Sequence, residues 1–421
     1  GVSARSAPGG AMSDPGTALA EAPAAAPAAG PSEAGALQPR VSKPARKPRR
    51  IVRQMVPDSI LKDEELNEAI KVLNENYEFE IHKTVWRIKK SGAKKVALQF
   101  PEGLQMYALA ISDILERFAG VEQCVVLGDV TYGACCVDDY SARALECDLL
   151  IHYGHSCLVP VDATGIPCMY IFVNMKVDLQ HLIECVKMSF PREHRLILAG
   201  TIQFNKELHA AKRSLADHFA AVAVPQCKPL SSGEVLGCTA PCMSGEGDAI
   251  VFVADGRFHL EALMIANPDI PAFRYDPYGR VLTREEYDQE DMRSVRRSAV
   301  EAAGGARSFG LVLGTLGRQG NPHILKRLQD LLDRRELPHF TVLMSELNPA
   351  KLALFTDVQC WIQIACPRLS IDWGEGFQAP ILTPYEAMIA LGAAKPWWQE
   401  EGGDYRMDYY SKSAGPWGNK Y

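Results

Sequence analysis

Twelve cysteines, at positions 124, 135, 136, 147, 157, 168, 185, 227, 238, 242, 360 and 366, are the residues best suited to chemistry in this sequence. A free thiol inside an apolar run behaves as a small hydrophobe, and Cys124, Cys147, Cys168, Cys185 and Cys360 lie in or beside such runs. Cys135, Cys157, Cys238 and Cys366 instead sit where a strand or loop meets a glycine or proline turn. Cys136, Cys227 and Cys242 are ambiguous neighbours. Ligands of open α/β sheets gather at the carboxyl ends of strands, so thiols on strand-end turns are well placed. Three thiolates on one inorganic centre suit iron–sulfur ligation or zinc. Three rather than four leave one position open for a substrate, the mark of a catalytic centre.

Local spacing does not build such a site. There is no C-x2-C pair of zinc-finger type. Cys238-x3-Cys242 matches the first half of the loop of ordinary radical S-adenosylmethionine enzymes, but the third position, 245, is glycine. A zinc alternative would use His152, His155 and Cys157, whose spacing is tight for a tetrahedral site. The loop Gly314 to Gly320 is neither a Walker A nor a G-x-G-x-x-G loop. Its backbone N–H groups, with Arg318 and Gln319, suit an anion such as a carboxylate. Arg368 and Asp372 stand beside Cys366; Arg318 and Arg368 are candidate grips for a substrate carboxylate.

The elements that must position these residues follow a repeating pattern. Helices are expected over 59–73 and 80–91, the second stopped by Gly92. A first block then predicts strands at 95–100, 125–127, 149–153 and 169–173, with helices at 104–118 and 176–188. A second block predicts strands at 195–201, 221–224, 249–254 and 272–275, with a helix at 205–219. A third predicts strands at 309–315, 340–344, 360–365 and 380–383, with helices at 322–335, 349–355 and 384–392. Strand–helix alternation buries strands on both faces, so each block implies a small parallel sheet. The fold expected is α/β, with three repeated Rossmann-like domains (55–190, 191–288 and 289–392) around a common axis. Cys135, Cys238 and Cys366 then occur once per repeat. The adjacent Cys135 and Cys136 should diverge at their turn, so that one alone faces the axis. Residues 393–421 read as an irregular tail, rich in Gly, Trp and Tyr.

The chain has 421 residues, 47% of them hydrophobic, ample for a large core. A net charge of −6 excludes the general basic surface of a nucleic-acid binder. No apolar run approaches the ~18 residues of a membrane span, so no membrane association is expected. Residues 1–39 are Ala/Pro-rich and lack the apolar surface to offset ordering entropy, so disorder is expected. Residues 40–53 form a basic segment: a solvated tail, or a nuclear-localisation or RNA-contacting element. The N-terminus has no secretory h-region, and a start at Gly1 leaves room for an upstream piece. The cytoplasm is the expected location, with nuclear presence open.

The run Gly128 to Asp139, His152-Tyr153-Gly154-His155-Ser156-Cys157, Asp255 to His259, Arg274 to Tyr278, Gly314 to Gly320 and Cys366 to Gly374 together resemble the diphthamide biosynthesis protein 1 family. The resemblance spans about 55–390. It is similar in turn to the archaeal diphthamide synthase, a noncanonical radical S-adenosylmethionine enzyme. It implies one 4Fe–4S cluster per chain, held by Cys135 in Tyr-Gly-Ala-Cys, Cys238 in Gly-Cys-Thr and Cys366 in Ala-Cys-Pro-Arg. The implied activity is the first step of diphthamide formation, a transferase reaction. The 3-amino-3-carboxypropyl group of S-adenosylmethionine passes by radical chemistry to C2 of a histidine imidazole on elongation factor 2, releasing methylthioadenosine. Implied partners are diphthamide biosynthesis protein 2, as the other half of a heterodimer, and a small CSL-type zinc-finger iron protein as electron donor. Alternatives are a non-catalytic iron–sulfur subunit that supports a partner, and a quinolinate-synthase-like enzyme with an open iron.

Overall fold

The computed structural model describes residues 55–421, apart from 130, 244, 401, 402 and 421. The expected disordered tail and basic segment lie outside the described residues. The rest forms one compact unit holding three larger sheets in sequence order, and a two-stranded antiparallel sheet of Tyr77–Glu78 with Asn174–Met175.

In the first sheet, Lys95–Gln99 lies between Gln123–Val126 and Leu149–Tyr153, and Cys168–Ile171 closes the far edge. All of these pair in parallel. The third sheet repeats the plan: Phe309–Gly314 lies between His339–Met344 and Cys360–Ile364, with Ile381–Leu382 beyond, again parallel. In the second, Arg195–Gly200 lies between Ala221–Ala223 and Ala249–Val253, followed by Ala272–Asp276. A fifth strand, Val281–Glu285, folds back antiparallel on Ala272–Asp276, which the expectation of purely parallel sheets missed. Each sheet thus runs second–first–third–fourth strand. The chain leaves the first strand to one side and then crosses to the other, which opens a crevice at the carboxyl ends of the inner strands.

The inner strands Leu149–Tyr153, Ala249–Val253 and Cys360–Ile364 are buried along their whole length, as helices on both faces require. The expected helix 59–73 is two helices, Asp58–Leu61 and Glu64–Ile70; Asp63 caps the second by accepting the Leu66 N–H and so ends the first. Helix Ile81–Ser91 stops at left-handed Gly92, as its sequence suggested. Four helices went unread: Asp139–Ala144, Phe258–Ala266, Gln289–Gly304 and Arg368–Trp373. Phe258–Ala266 is buried nearly all round and so shows no amphipathic period. The largest core cluster joins the second sheet, the third sheet and the C-terminal segment, where Tyr405, Met407, Tyr409 and Tyr410 are buried. The tail is irregular in its backbone but packed.

Candidate functional site

The Cys135 turn is set by the strand behind it. Gln99 ends the first strand of its sheet and is fully buried. Its Nε2 donates to the Cys136 carbonyl (2.8 Å), and its Oε1 accepts the Asp138 N–H (3.1 Å). The same oxygen meets His152 Nδ1 at 2.8 Å. From the third sheet the Gly314 to Gly320 loop docks on this turn. The Arg318 N–H donates to the Cys135 carbonyl (3.0 Å), and the Arg318 guanidinium forks the Asp139 carboxylate at 2.7 and 2.6 Å. Burial pushes the Asp139 carboxyl up, but Arg318 and the Gly165 N–H outweigh it and hold the group below its usual range. Gly317, at φ +50°, lies so close that a Cβ would stand 2.4 Å from the Cys136 carbonyl oxygen.

Cys366 is held in the same manner. Gln363 Nε2 donates to the Cys366 carbonyl (2.9 Å) and the Ser370 hydroxyl (3.1 Å). Arg368 then reaches from this turn to the second sheet. Its guanidinium pairs with Asp372 (2.8 Å) and Glu261 (2.5 Å), donates to the Phe258 carbonyl (2.8 Å) and lies over the Phe258 ring. It also reaches the carbonyl of Gly237, the residue before Cys238 (3.4 Å). At Cys238 itself, Leu236 and Thr239 close a tight bridge, and the Thr239 hydroxyl donates to the Cys238 sulfur (3.7 Å).

Three turns from three sheets therefore bring three thiols within electrostatic reach of one another. Hydrogen bonding to Cys136, then burial, then the charges of Cys136, Cys238 and Cys366 push the Cys135 thiol well up. Burial, then Cys366, pushes Cys238 to about 12. Burial pushes Cys366 to about 11. Among the described residues no trio of His, Cys, Asp or Glu closes on a single metal ion. A multi-iron cluster spreads its thiolates over several atoms and suits thiols that face one another at longer range. Metal binding would displace the thiol protons that burial retains.

Successive residues of the 3-10 turn Ala134–Cys136 lie about 120° apart, so Cys135 and Cys136 do point differently, but both thiols lie within electrostatic reach of Cys366, so the expectation that one alone faces the other turns is not met. Cys135 feels both Cys238 and Cys366, whereas Cys136 is the more deeply buried of the pair. Nor are the three turns equivalent. Cys135 and Cys238 follow the second strand of their sheets, but Cys366 follows the third strand of its own. The counterpart of Cys366 in the first sheet is the turn carrying exposed Cys157. Arg318 and Arg368, expected at a substrate carboxylate, spend their guanidinia on carboxylates of the chain, and Gln319 lies buried with Nε2 4.0 Å from the Cys135 sulfur. His152, His155 and Cys157 do not gather as a zinc trio: the His rings stand 5.6 Å apart, and Cys157 is turned to the Val159 carbonyl.

Beside the Cys238 turn lies a cavity of about 320 Å³. Its lining includes Leu236, two residues before Cys238, together with His155, Glu234, Asp255, His259 and Tyr278. Burial pulls the imidazoles of His155 and His259 down to about 4, so both are neutral near pH 7. Burial pushes the Glu234 carboxyl up, and its Oε1 has no hydrogen-bond partner. The volume suits a small molecule.

Residues 100–402 match the family model described as "Putative diphthamide synthesis protein". The chain belongs to the diphthamide synthesis family. It is an enzyme, a transferase. It is similar to 2-(3-amino-3-carboxypropyl)histidine synthase subunit 1 of Gallus gallus, 54% identical over 91% of this chain and 92% of the relative. The protein of that name from Dictyostelium discoideum is 52% identical over 87% of this chain and 78% of its own. Among solved structures it is similar to Dph2 from Pyrococcus horikoshii, whose crystal structure is described as containing a 4Fe–4S cluster. There the TM-score is 0.65 at 27% identity, over 81% of this chain and 97% of that one.

In this diphthamide-family chain, sequence reasoning passed over the residues that hold the thiol turns. Gln99 and Gln363 each lie in a strand that pins a Cys carbonyl, a signal visible as a lone amide in an apolar run. It also passed over the C-terminal segment. Residues 403–420 lie beyond the family match, yet Tyr409 donates its N–H to the Cys238 carbonyl (3.2 Å). The excess of Tyr and Trp there was the available signal, since aromatic side chains bury large areas.

Proposed function

We propose that this chain is the catalytic subunit for the first step of diphthamide formation, with Cys135, Cys238 and Cys366 holding a 4Fe–4S cluster. The observation that carries the reading is the convergence of thiols from three sheets, Cys135 with its neighbour Cys136, Cys238 and Cys366, within electrostatic reach of one another. When bound, such a cluster supplies the electron that cleaves the S–Cγ bond of S-adenosylmethionine, frees the 3-amino-3-carboxypropyl group for C2 of a histidine imidazole and leaves methylthioadenosine.

The chain's own residues bind, orient and shield. The cavity of His155, Glu234, Asp255, His259 and Tyr278 adjoins the Cys238 turn and receives the co-substrate. Neutral His155 and His259 present hydrogen-bonding nitrogens without adding positive charge beside a sulfonium. Arg318 and Arg368 lock the Cys135 and Cys366 turns to their neighbours, so we assign them to positioning. Cys135, Cys238 and Cys366 are each partly buried, which limits the access of water to the reacting group.

The protein substrate is elongation factor 2. The partner is the related second subunit, diphthamide biosynthesis protein 2, and the electron comes from a small CSL-type zinc-finger iron protein; the setting is cytoplasmic. The test combines anaerobically loaded chain, second subunit, elongation factor 2, dithionite and S-adenosylmethionine. Methylthioadenosine release and histidine modification are expected, and each of Cys135→Ala, Cys238→Ala and Cys366→Ala should abolish both. Full modification by all three variants would assign the chemistry to the partner subunit instead.

A further inference from the structure

The C-terminal segment forms a strap across the Cys238 turn. Met407 accepts the Ala240 N–H at its carbonyl (2.8 Å), and Tyr409 donates its N–H to the Cys238 carbonyl (3.2 Å). Tyr410 donates its N–H to the Thr239 hydroxyl (2.9 Å). The far end of the strap is tied to the other side of the centre. Asn419, 1% exposed, accepts from Asn321 Nδ2 (2.6 Å) and reaches the Gln319 carbonyl with its own Nδ2 (3.5 Å). It is joined to the near end through its N–H on the Tyr409 carbonyl (2.6 Å), while Trp417 Nε1 donates to Asp408 (2.8 Å). One strap thus clamps both the Cys238 turn and the loop that docks on the Cys135 turn.

Thr239 converts that clamp into chemistry. It is fully buried. A hydroxyl has one hydrogen to give. Because the Tyr410 N–H occupies a lone pair of the Thr239 oxygen, that hydrogen is left to point at the Cys238 sulfur, where the structure places it at 3.7 Å between heavy atoms. Hydrogen bonds to ligating sulfurs stabilise the more negative, reduced state of a cluster and raise its potential.

We propose that the strap 403–420 and Thr239 form a positioning device for the metal centre: Tyr410 orients the Thr239 hydroxyl, and that hydroxyl sets the reduction potential through Cys238. This rests on the three-thiol reading above.

The test is a redox titration of the full-length chain, anaerobically loaded with iron and sulfide and followed by EPR. Thr239→Val keeps the shape and removes the donor. At a fixed potential its reduced-to-oxidised ratio should fall about tenfold, equal to about 59 mV for one electron. Thr239→Ser should restore the wild-type midpoint. Asn419→Ala, remote from the thiol, should shift the midpoint in the same direction by a smaller amount. A loaded Thr239→Val with an unmoved midpoint overturns the proposal and leaves the three-thiol reading intact. If Thr239→Val does not load, Asn419→Ala decides, and an unmoved midpoint there overturns the proposal. Absence of any cluster signal in the wild-type chain overturns both.

Discussion

Arg318 and Asp139 show how a single ion pair can serve a site without touching substrate. Asp139 is fully buried and Arg318 largely so, and their fork joins the Cys135 turn to a loop of the third sheet. Removing one partner of such a pair strands a buried charge. Arg318→Ala should therefore cost about 3 kcal/mol in urea unfolding. The sign with pH follows from the depressed Asp139 carboxyl. Its contribution is complete above the unfolded value of about 3.9 and is lost as pH falls through the lower folded value. Unfolding midpoints measured from roughly pH 6 down to pH 2 should fall in that acid window, and Arg318→Ala should flatten the fall. Gln99 is the neutral counterpart. Gln99→Leu leaves the buried Cys136 carbonyl and Asp138 N–H without their partner and should cost about 2 kcal/mol or more. Urea titration checks it, and iron content after anaerobic loading should fall with it.

At the scale of elements, each thiol is delivered by a strand-end turn and each turn is braced by a neighbouring sheet. The loop Gly314 to Gly320 is the clearest brace. Gly317 combines a left-handed backbone with direct contact on the Cys136 carbonyl. Gly317→Ala meets both a strained conformation and a clash with backbone, so a loss of about 2 kcal/mol is expected, together with reduced metal loading. Unchanged iron content in a folded Gly317→Ala chain would show that the loop does not brace the Cys135 turn. The same scale explains why the zinc reading failed. His152 is drawn into the sheet by Gln99, while Cys157 lies exposed on the turn that follows.

For the molecule as a whole, the second and third sheets share one apolar core, and a buried ion pair ties two helices of the third unit together and to the strap. Arg296 on helix Gln289–Gly304 forks Glu386 on helix Pro384–Ala390 at 2.7 and 2.8 Å, both side chains being 1% exposed or less. The Tyr405 hydroxyl, from the strap, donates to the same carboxylate (2.8 Å). Glu386→Ala leaves Arg296 buried without its counter-charge, and about 4 kcal/mol of stability should be lost. A thermal or urea transition that stays within error of wild type would refute that assignment. The strap is fastened to the molecule at this pair as well as at the Cys238 turn.

Much of the element list was legible because inner strands such as Leu149–Tyr153 and Cys360–Ile364 are unbroken apolar runs ended by glycine or proline turns. The thiols worth watching were legible for a related reason: a Cys at such a turn has no packing role to explain it. Helix Phe258–Ala266 was not legible, because burial on every side erases its period, and strand Val281–Glu285 was not, because its residues are mostly half-exposed and alternate weakly. The sequence by itself determined that Cys135, Cys238 and Cys366 stand on turns of three similar α/β units. The tertiary structure alone decided that these turns meet, that Cys366 comes from a different strand than the other two, and that Arg318 and Arg368 pair with carboxylates of the chain. Those outcomes depend on contacts between residues over a hundred positions apart, such as Arg318 with Asp139 and Arg368 with Glu261. Local pattern records how each segment buries its own face, and it carries no term for which distant segment supplies the partner.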